Sequence, residues 1–345
     1  RAIRAAAAAA RRGAPAVEDE NVCDVAIVGA GPGGLAAALA LQRAGLDVRV
    51  FEQREEFRPA GVAIFIWPHG LNALKSFDPV SCERVIEAGA VIDNIAIEQL
   101  QPGNTEAEEL VKIDVAGWSR RMDLPPQIGI TWARLTNALR AGLKPDTVRL
   151  AHRLQDLTDE DGEDGVTLTF EPPRGGGEAP PPVRARMCVV GADGRNSRVR
   201  ELAFGADEKA TVNTYADPAA PEANVYYALS PNPPPGANGA GSFNELRFSL
   251  CDGSGISLLD VGRGNLDIDG KEGGSGGNPA SGGQLMFGTT RFSEPAMTFE
   301  TPTARLGHLE SLFENTTPLL KAAIASTEPT AVIQTRLYER DGASR

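Results

Sequence analysis

The chain has 345 residues, 41% of them apolar and 23% charged, with a formal net charge of −12. That length accommodates two domains with sizeable cores, and the composition reads as soluble and globular. The negative balance excludes a general nucleic-acid binder, because a polyanion is repelled.

No apolar run reaches the length of a transmembrane helix, so no transmembrane segment is expected. The three histidines (His69, His152, His308) are scattered without metal-ligand spacing, and no metal site is expected. The four cysteines (Cys23, Cys82, Cys188, Cys251) lie far apart, mostly in apolar stretches. They read as buried thiols in a reducing compartment and not as a disulfide framework.

Residues 1–17, "RAIRAAAAAARRGAPAV", hold four arginines and no acid. This fits the tail of a chloroplast or mitochondrial transit peptide, although it lacks the usual serines. An alanine-rich disordered leader on a cytoplasmic protein fits equally well. Residues 1–21 are therefore set apart from the fold.

The folded part begins with a strand at Asp24–Val28. A helix follows from Gly31 to Ala44, ended by Gly45, and then a strand from Asp47 to Glu52. "GLNALKSF" and "SCERVIEAG" read as short helices and "VIDNIAIEQL" as a strand. "TWARLTNALRAGLKP" is an amphipathic helix with Trp132, Leu135, Leu139 and Leu143 on one face and Pro145 as its stop. "VRLAHRL", "GVTLTF" and "VRARMCVVGADG" are three strands, the last two joined through the loop "EPPRGGGEAPPP". Past Gly205 come short strands separated by Pro- and Gly-rich loops: "ANVYYALS", "NELRFSLC", "GISLLDVGR" and "GQLMFGTT". They predict a mostly antiparallel sheet. "GKEGGSGGNPASGG" is low-complexity. "ARLGHLESLFE" and "PLLKAAIAST" read as helices before a last strand, "AVIQTRLYER".

Two glycine turns carry the chemistry. The first lies in "VAIVGAGPGGLAAALALQRAGLDVRVFEQ", where Gly29, Gly31 and Gly34 fit G-x-G-x-x-G between an apolar strand and a helix. Glu52 ends the next strand, 23 residues after Gly29. Gly29 permits the tight turn, Gly31 lets a pyrophosphate approach the backbone, and Gly34 lets the helix press on the strand. The helix N-terminus offers free N–H groups to phosphate. Glu52 accepts from ribose hydroxyls, and its charge disfavours a 2′-phosphate. The second turn is in "CVVGADGRNSRVREL", again a strand running into a glycine turn and a helix, with Asn196 or Ser197 as cap. Arg195, Arg198 and Arg200 surround it with positive charge.

Together, "GAGPGG" with Glu52 and "GADGRNSRVR" resemble the FAD-dependent group A flavoprotein monooxygenases, the para-hydroxybenzoate hydroxylase and zeaxanthin epoxidase type. The resemblance implies an α/β fold with two parts: a Rossmann-like FAD-binding domain and a mostly antiparallel β-sheet substrate domain. By that resemblance Gly29, Gly31, Gly33, Gly34 and Glu52 hold the ADP half of FAD, and Asp193 and Gly194 support FAD and the pyridine nucleotide. "FRPAGVAIFIWPHGLNAL" resembles the family's Arg-x-x-Gly segment and places Arg58 and Gly61 near the cofactor. His69 replaces the family's Asn and takes no role. "WARLTNAL" resembles the Arg-x-x-Leu helix and places Arg134 near the flavin. The implied domains are 22–90 with 128–204 (FAD-binding), 91–127 with 205–335 (substrate), and 336–345 as the start of a return to the FAD domain.

The implied activity is hydroxylation or epoxidation of a small aromatic or isoprenoid-like olefinic substrate. It uses O2 and NADH or NADPH by way of a flavin C4a-hydroperoxide. The flavin carries the chemistry, so no catalytic side chain is singled out. The family's third motif, Gly-Asp before a helix, has no counterpart before "RLYERDGASR", so the chain reads as incomplete at its C-terminus and as a weak FAD binder. Two rivals stay open: an FAD-dependent reductase or dehydrogenase of the same superfamily, and a non-catalytic FAD- or nucleotide-binding protein.

Three further patterns have simpler readings. "GGSGG" at 273–277 matches a hydrolase elbow without the strand and helix that elbow needs. "NLDIDG" at 265–270 lacks the closing Glu of a calcium loop. "DEDGED" at 159–164 is a solvated turn. Phe65, Trp67, Trp118, Tyr226 and Phe248 are taken as core more readily than as pocket lining.

Overall fold

The computed structural model describes residues 20–57, 63–100, 107–159, 165–205, 224–230, 244–251, 254–261, 285–291, 297–314 and 316–336. The low-complexity segment, "GGSGG", "NLDIDG" and most of "DEDGED" lie outside the described residues. In chain order the first elements are β1 (Val22–Val28), α1 (Pro32–Arg43), β2 (Val48–Phe51), β3 (Ala63–Ile66), α2 (Pro68–Phe77), α3 (Pro79–Ala88), β4 (Ala90–Ile92), β5 (Asn94–Leu100) and β6 (Ala107–Asp114). Then come α4 (Val115–Arg121), β7 (Gln127–Thr131), α5 (Trp132–Arg140), β8 (Val148–Arg149), β9 (Arg153–Asp159), β10 (Val166–Glu171), β11 (Val183–Gly191) and α6 (Arg198–Phe204). The last group is β12 (Asn224–Ser230), β13 (Glu245–Cys251), β14 (Ser254–Asp260), β15 (Leu285–Arg291), α7 (Pro302–Leu312), α8 (Pro318–Ala325) and β16 (Ile333–Arg336). They divide into two compact units: Arg1–Arg58 with Leu74–Ser81 and Thr136–Thr211, and Pro59–Ala73 with Cys82–Leu135 and Val212–Arg345.

In the first unit the sheet order is β8-β2-β1-β11-β10-β9, parallel across β8, β2, β1 and β11 and antiparallel beyond. Strand β1 is central, and from Cys23 to Val28 every residue is buried. That is why "VCDVAIV" is apolar on both faces. Its one acid, Asp24, takes two hydrogen bonds from Arg186, at 3.1 and 2.7 Å, and one from the Asp47 N–H at 2.9 Å. A buried charge needs such partners. Cys23, Ala26, Val28 and Phe51 pack with Leu154, Leu168, Phe170, Val183 and Ala185.

The second unit holds a seven-stranded sheet, β16-β12-β15-β14-β13-β5-β6, antiparallel except where β13 pairs with β5. One face is covered by α7 and α8, where Leu306, Leu309, Leu320 and Ile324, with Phe313 at the end of α7, pack on Tyr226, Ile256 and Leu258. On the other face Ile95, Leu246 and Leu259 pack with Ala63, Ile92, Val115 and Val261. A small sheet, β3-β7-β4, completes the unit.

Several expectations need correction. "VIDNIAIEQL" is two strands in two sheets, because the backbone of Asp93 leaves the ladder. Its N–H donates to the Asn244 carbonyl at 2.8 Å, and its carbonyl accepts from the Val115 and Ala116 N–H groups, each at 3.0 Å. "VRLAHRL" likewise splits at Ala151, which has φ +57°, into β8 and β9 at opposite edges of one sheet. The amphipathic helix ends at Arg140, before Pro145, and Trp132 is 39% exposed instead of packed with Leu135 and Leu139. Strand β6 escaped sequence reading because a bulge at Leu110 breaks its alternation.

Candidate nucleotide site

The turn after β1 and the turn after β11 meet in the first unit. Gly29 has φ +106°, a left-handed conformation that favours glycine. Its N–H donates to the Phe51 carbonyl at 2.8 Å, and the Ala192 N–H donates to the Val28 carbonyl at 2.8 Å. A Cβ on Gly29 would stand 2.6 Å from the Ala192 carbonyl carbon and 2.8 Å from the Asp193 nitrogen. A Cβ on Gly34 would run into the Gly29 carbonyl oxygen. The two motifs are therefore backbone against backbone, and both glycines are needed for that approach.

Gly31 is the extended N-cap of α1, with Pro32 beginning the helix. No side chain caps this end, and its first turn carries no acid. An uncapped, acid-free helix start is suited to an anion. A Cβ at Gly33 or Gly194 would meet no atom within 4 Å. Gly194 has φ +80°.

Asp193 uses one carboxylate oxygen locally. Its Oδ2 accepts from the Arg198 N–H at 2.6 Å and the Val199 N–H at 3.2 Å, and so holds the start of α6. Ser197 caps the same end, accepting from the Arg200 N–H at 3.0 Å. The other oxygen, Oδ1, is buried and has no hydrogen-bond partner. A buried acceptor left unmet carries a desolvation cost, which a ligand hydroxyl would remove. The open glycines, the bare helix start and this unmatched oxygen fit a hydroxyl-bearing pyrophosphate cofactor such as FAD.

Glu52 does more than sequence reasoning asked of it. Its Oε2 accepts from the Ala30 N–H at 3.0 Å, inside the glycine turn, and its Oε1 accepts from the Arg54 N–H at 3.0 Å. Each oxygen keeps a second lone pair for a ribose hydroxyl. Beside it, His152 donates its backbone N–H to the Glu52 carbonyl at 2.8 Å. The His152 ring packs against Phe51 and Phe170, with centroids at 5.5 and 4.9 Å. Burial, with the nearby charge of Arg149, holds this imidazole below its usual range despite the Leu150 carbonyl. Neither Ala30 nor His152 stood out in the sequence, because both reach Glu52 through backbone groups.

The remaining expected residues are placed as follows. Arg58 and Gly61 lie outside the described residues. Arg134 is in the second unit, 6% exposed, and its Nη1 donates to the Val261 carbonyl at 2.8 Å. Arg198, one of the three arginines around the second turn, is committed to its own surroundings. It donates to the Gln155 carbonyl at 3.2 and 2.9 Å and pairs with Glu201 at 3.2 Å.

Two further expectations are corrected. Cys188 is exposed, whereas Cys23 and Cys82 are buried free thiols, with burial pushing the Cys23 thiol up to about 12. Of the five aromatics read as core, Tyr226 is fully buried, whereas Trp67, Trp118 and Phe248 are 46%, 41% and 39% exposed.

The sequence profile of the FAD binding domain family matches residues 22–227. The FAD-dependent urate hydroxylase of Klebsiella pneumoniae is 27% identical over 180 residues, which are 52% of this chain and 42% of that protein. The 6-hydroxynicotinate 3-monooxygenase of Bordetella bronchiseptica is 32% identical over 188 residues, 53% of this chain and 44% of that protein. The chain thus spans less than half the length of these curated relatives. The crystal structure of Klebsiella pneumoniae HpxO complexed with FAD and uric acid superposes with a TM-score of 0.68 at 21% identity. That superposition covers 93% of this chain and 69% of the other, and it shows a shared fold.

Proposed function

The chain belongs to the FAD binding domain family of flavoprotein monooxygenases, and from that premise we propose that the protein hydroxylates or epoxidises a small aromatic or olefinic molecule, consuming NAD(P)H and O2. The observation that supports this most is the junction of the two glycine turns, where Gly29 meets the Ala192 carbonyl and the Asp193 backbone nitrogen, and Asp193 in that second turn keeps its Oδ1 unmatched. Bound there, FAD would supply the redox chemistry, taking electrons from NAD(P)H and passing one oxygen atom of O2 to the substrate.

The chain's own residues hold and shape. Gly29, Gly31 and Gly34 keep the turn narrow enough for a pyrophosphate to reach backbone N–H groups at the start of α1. Glu52 fixes that turn through Ala30 and takes ribose hydroxyls on its free lone pairs. Asp193 holds α6 with one oxygen and accepts from the cofactor with the other, while Gly194 keeps the approach open. The family resemblance assigns Arg58 near the cofactor. The relatives named for urate and 6-hydroxynicotinate point to a nitrogen-containing aromatic ring as the first substrate class to try.

The test combines FAD titration with turnover in air. Purified protein loaded with FAD is expected to consume NAD(P)H and oxygen together when given such aromatics, and to place one atom of labelled O2 in the product. FAD binding followed by substrate reduction under argon would overturn the monooxygenase reading and favour a reductase.

A further inference from the structure

Strand β6 ends the seven-stranded sheet, and among the described residues nothing pairs with its outer edge. Every residue from Glu108 to Asp114 is exposed. That includes three large aliphatics, Leu110, Val111 and Ile113, at 50%, 46% and 44%. Long apolar edges are a liability that proteins normally blunt or cover.

The registers assign a face to each side chain on this edge except that of the bulged Leu110. Val111 pairs with Ile97 and Ile113 with Ile95, and Ile97 in turn pairs with Phe248. These share the face opposite the helices, where Ile95 is packed and Phe248 and Leu250 are 39% and 42% exposed. Lys112 pairs with Ala96, and Ala96 with Arg247, which pairs with Leu258 on the helix-covered face. Glu109 pairs with Glu98, and Glu98 with Ser249, which pairs with Ile256 on that same face. In a regular strand, residues 109 and 112 would point to opposite faces. The bulge at Leu110, one step on β5 against two on β6, brings Glu109 and Lys112 to one face.

We propose that β6 is a self-complementary interface through which two copies of this chain associate, the sheet continuing across a two-fold axis. Such an axis, normal to the sheet, runs the two β6 strands antiparallel and maps each face onto itself, so paired residues must share a face. Centring it between Leu110 and Val111 satisfies that condition for Glu109 with Lys112, Glu108 with Ile113 and Ala107 with Asp114, and sets the bulged Leu110 at the centre. Glu109 then faces Lys112 of the second copy twice, Leu110 faces Val111 twice, and Glu108 lies beside Ile113. The charge match arises only because the bulge corrects the parity. Lys112 also stands 3.4 Å from Glu245 of its own chain, which holds it on the correct face. Both open edges gain backbone hydrogen bonds, and the Phe248–Ile97–Val111 row continues into the second copy. The occupant is a second copy because the complementary charges lie on the same strand.

Light scattering across the micromolar range should show a concentration-dependent dimer. Hydrogen exchange of residues 107–114 should slow as concentration rises. Glu109→Lys alone and Lys112→Glu alone each set like charges opposite one another and should weaken association at least about tenfold. An equimolar mixture of the two variants restores opposite charges in both pairs and should recover the dimer. A monomer throughout the range, exchange independent of concentration, or Glu109→Lys dimerising as the unchanged chain does would each overturn the proposal. The exchange measurement on the unchanged chain decides the question even if Lys112→Glu misfolds beside Glu245.

Discussion

Gly29 and Asp193 show how much of the site rests on single atoms. At Gly29 an added methyl meets two penalties at once, a positive φ and the Ala192 backbone 2.6 Å away. Gly29→Ala should therefore lower stability by about 2 kcal/mol or more and abolish FAD retention, read by thermal melting and flavin fluorescence. Asp193→Asn should separate holding from binding. An amide can keep its oxygen on the Arg198 and Val199 N–H groups while turning the unmatched acceptor into a donor. FAD affinity should then fall at least about tenfold with the melting temperature nearly unchanged. An Asn variant that binds FAD like the parent would remove Asp193 from the site. Sequence reading had marked both residues, because a G-x-G-x-x-G turn and an Asp-Gly turn are local patterns. The family resemblance assigned them to one cofactor, but their direct contact was not legible, because residues 29 and 192 are neighbours only in the fold.

Among the elements of the first unit, the end of α1 is braced to the segment Asp78–Ser81 through a small buried cluster. Asp78 precedes α3, accepting from the Ser81 N–H at 3.3 Å and the Ser81 hydroxyl at 2.7 Å. It also pairs with Arg43 in the last turn of α1 at 2.9 Å. Burial by itself raises this carboxyl, but the bonds from Ser81 and Arg43 outweigh it and hold the group below its usual value of 3.8. Asp78→Ala removes the cap of α3 and the ion pair with Arg43, and should cost about 2 kcal/mol in chemical denaturation. A loss within the error of the titration would mean that the end of α1 and the segment Asp78–Ser81 do not depend on this pair. Nothing near "KSFDPVSCE" announces the pair with Arg43, since 35 residues separate the partners.

For the whole molecule, acid should weaken the fold in two stages. His152 is depressed below its usual 6.5, so the unfolded chain takes up that proton first. Stability from this group is complete above 6.5 and is lost as pH falls through the folded value. Asp78, also depressed, adds its loss below 3.8. Urea titrations between pH 8 and 3 should show both declines, and His152→Phe should remove only the upper one. A stability profile of that variant identical to the parent's between pH 7 and 5 would mean that His152 is not the group responsible. The phenyl ring also fits the Phe51 and Phe170 rings, so the variant should fold.

What the sequence determined by itself was local chemistry. The strand–turn–helix at Gly29, the carboxylate at Glu52, the capped helix after Asp193, and the change to short strands past Gly205 all follow from residue type at short spacing. Glycine freedom, capping and hydrophobic period act within one or two turns of chain. Only the tertiary structure decided which backbones touch and which faces agree. Ala192 closes on Gly29, Asp93 and Ala151 interrupt two strands, Cys188 is exposed on β11, and the bulge at Leu110 puts Glu109 and Lys112 on one face. Each of these depends on a partner distant in the chain, whose position is set by the packing of the whole and not by its neighbours in sequence.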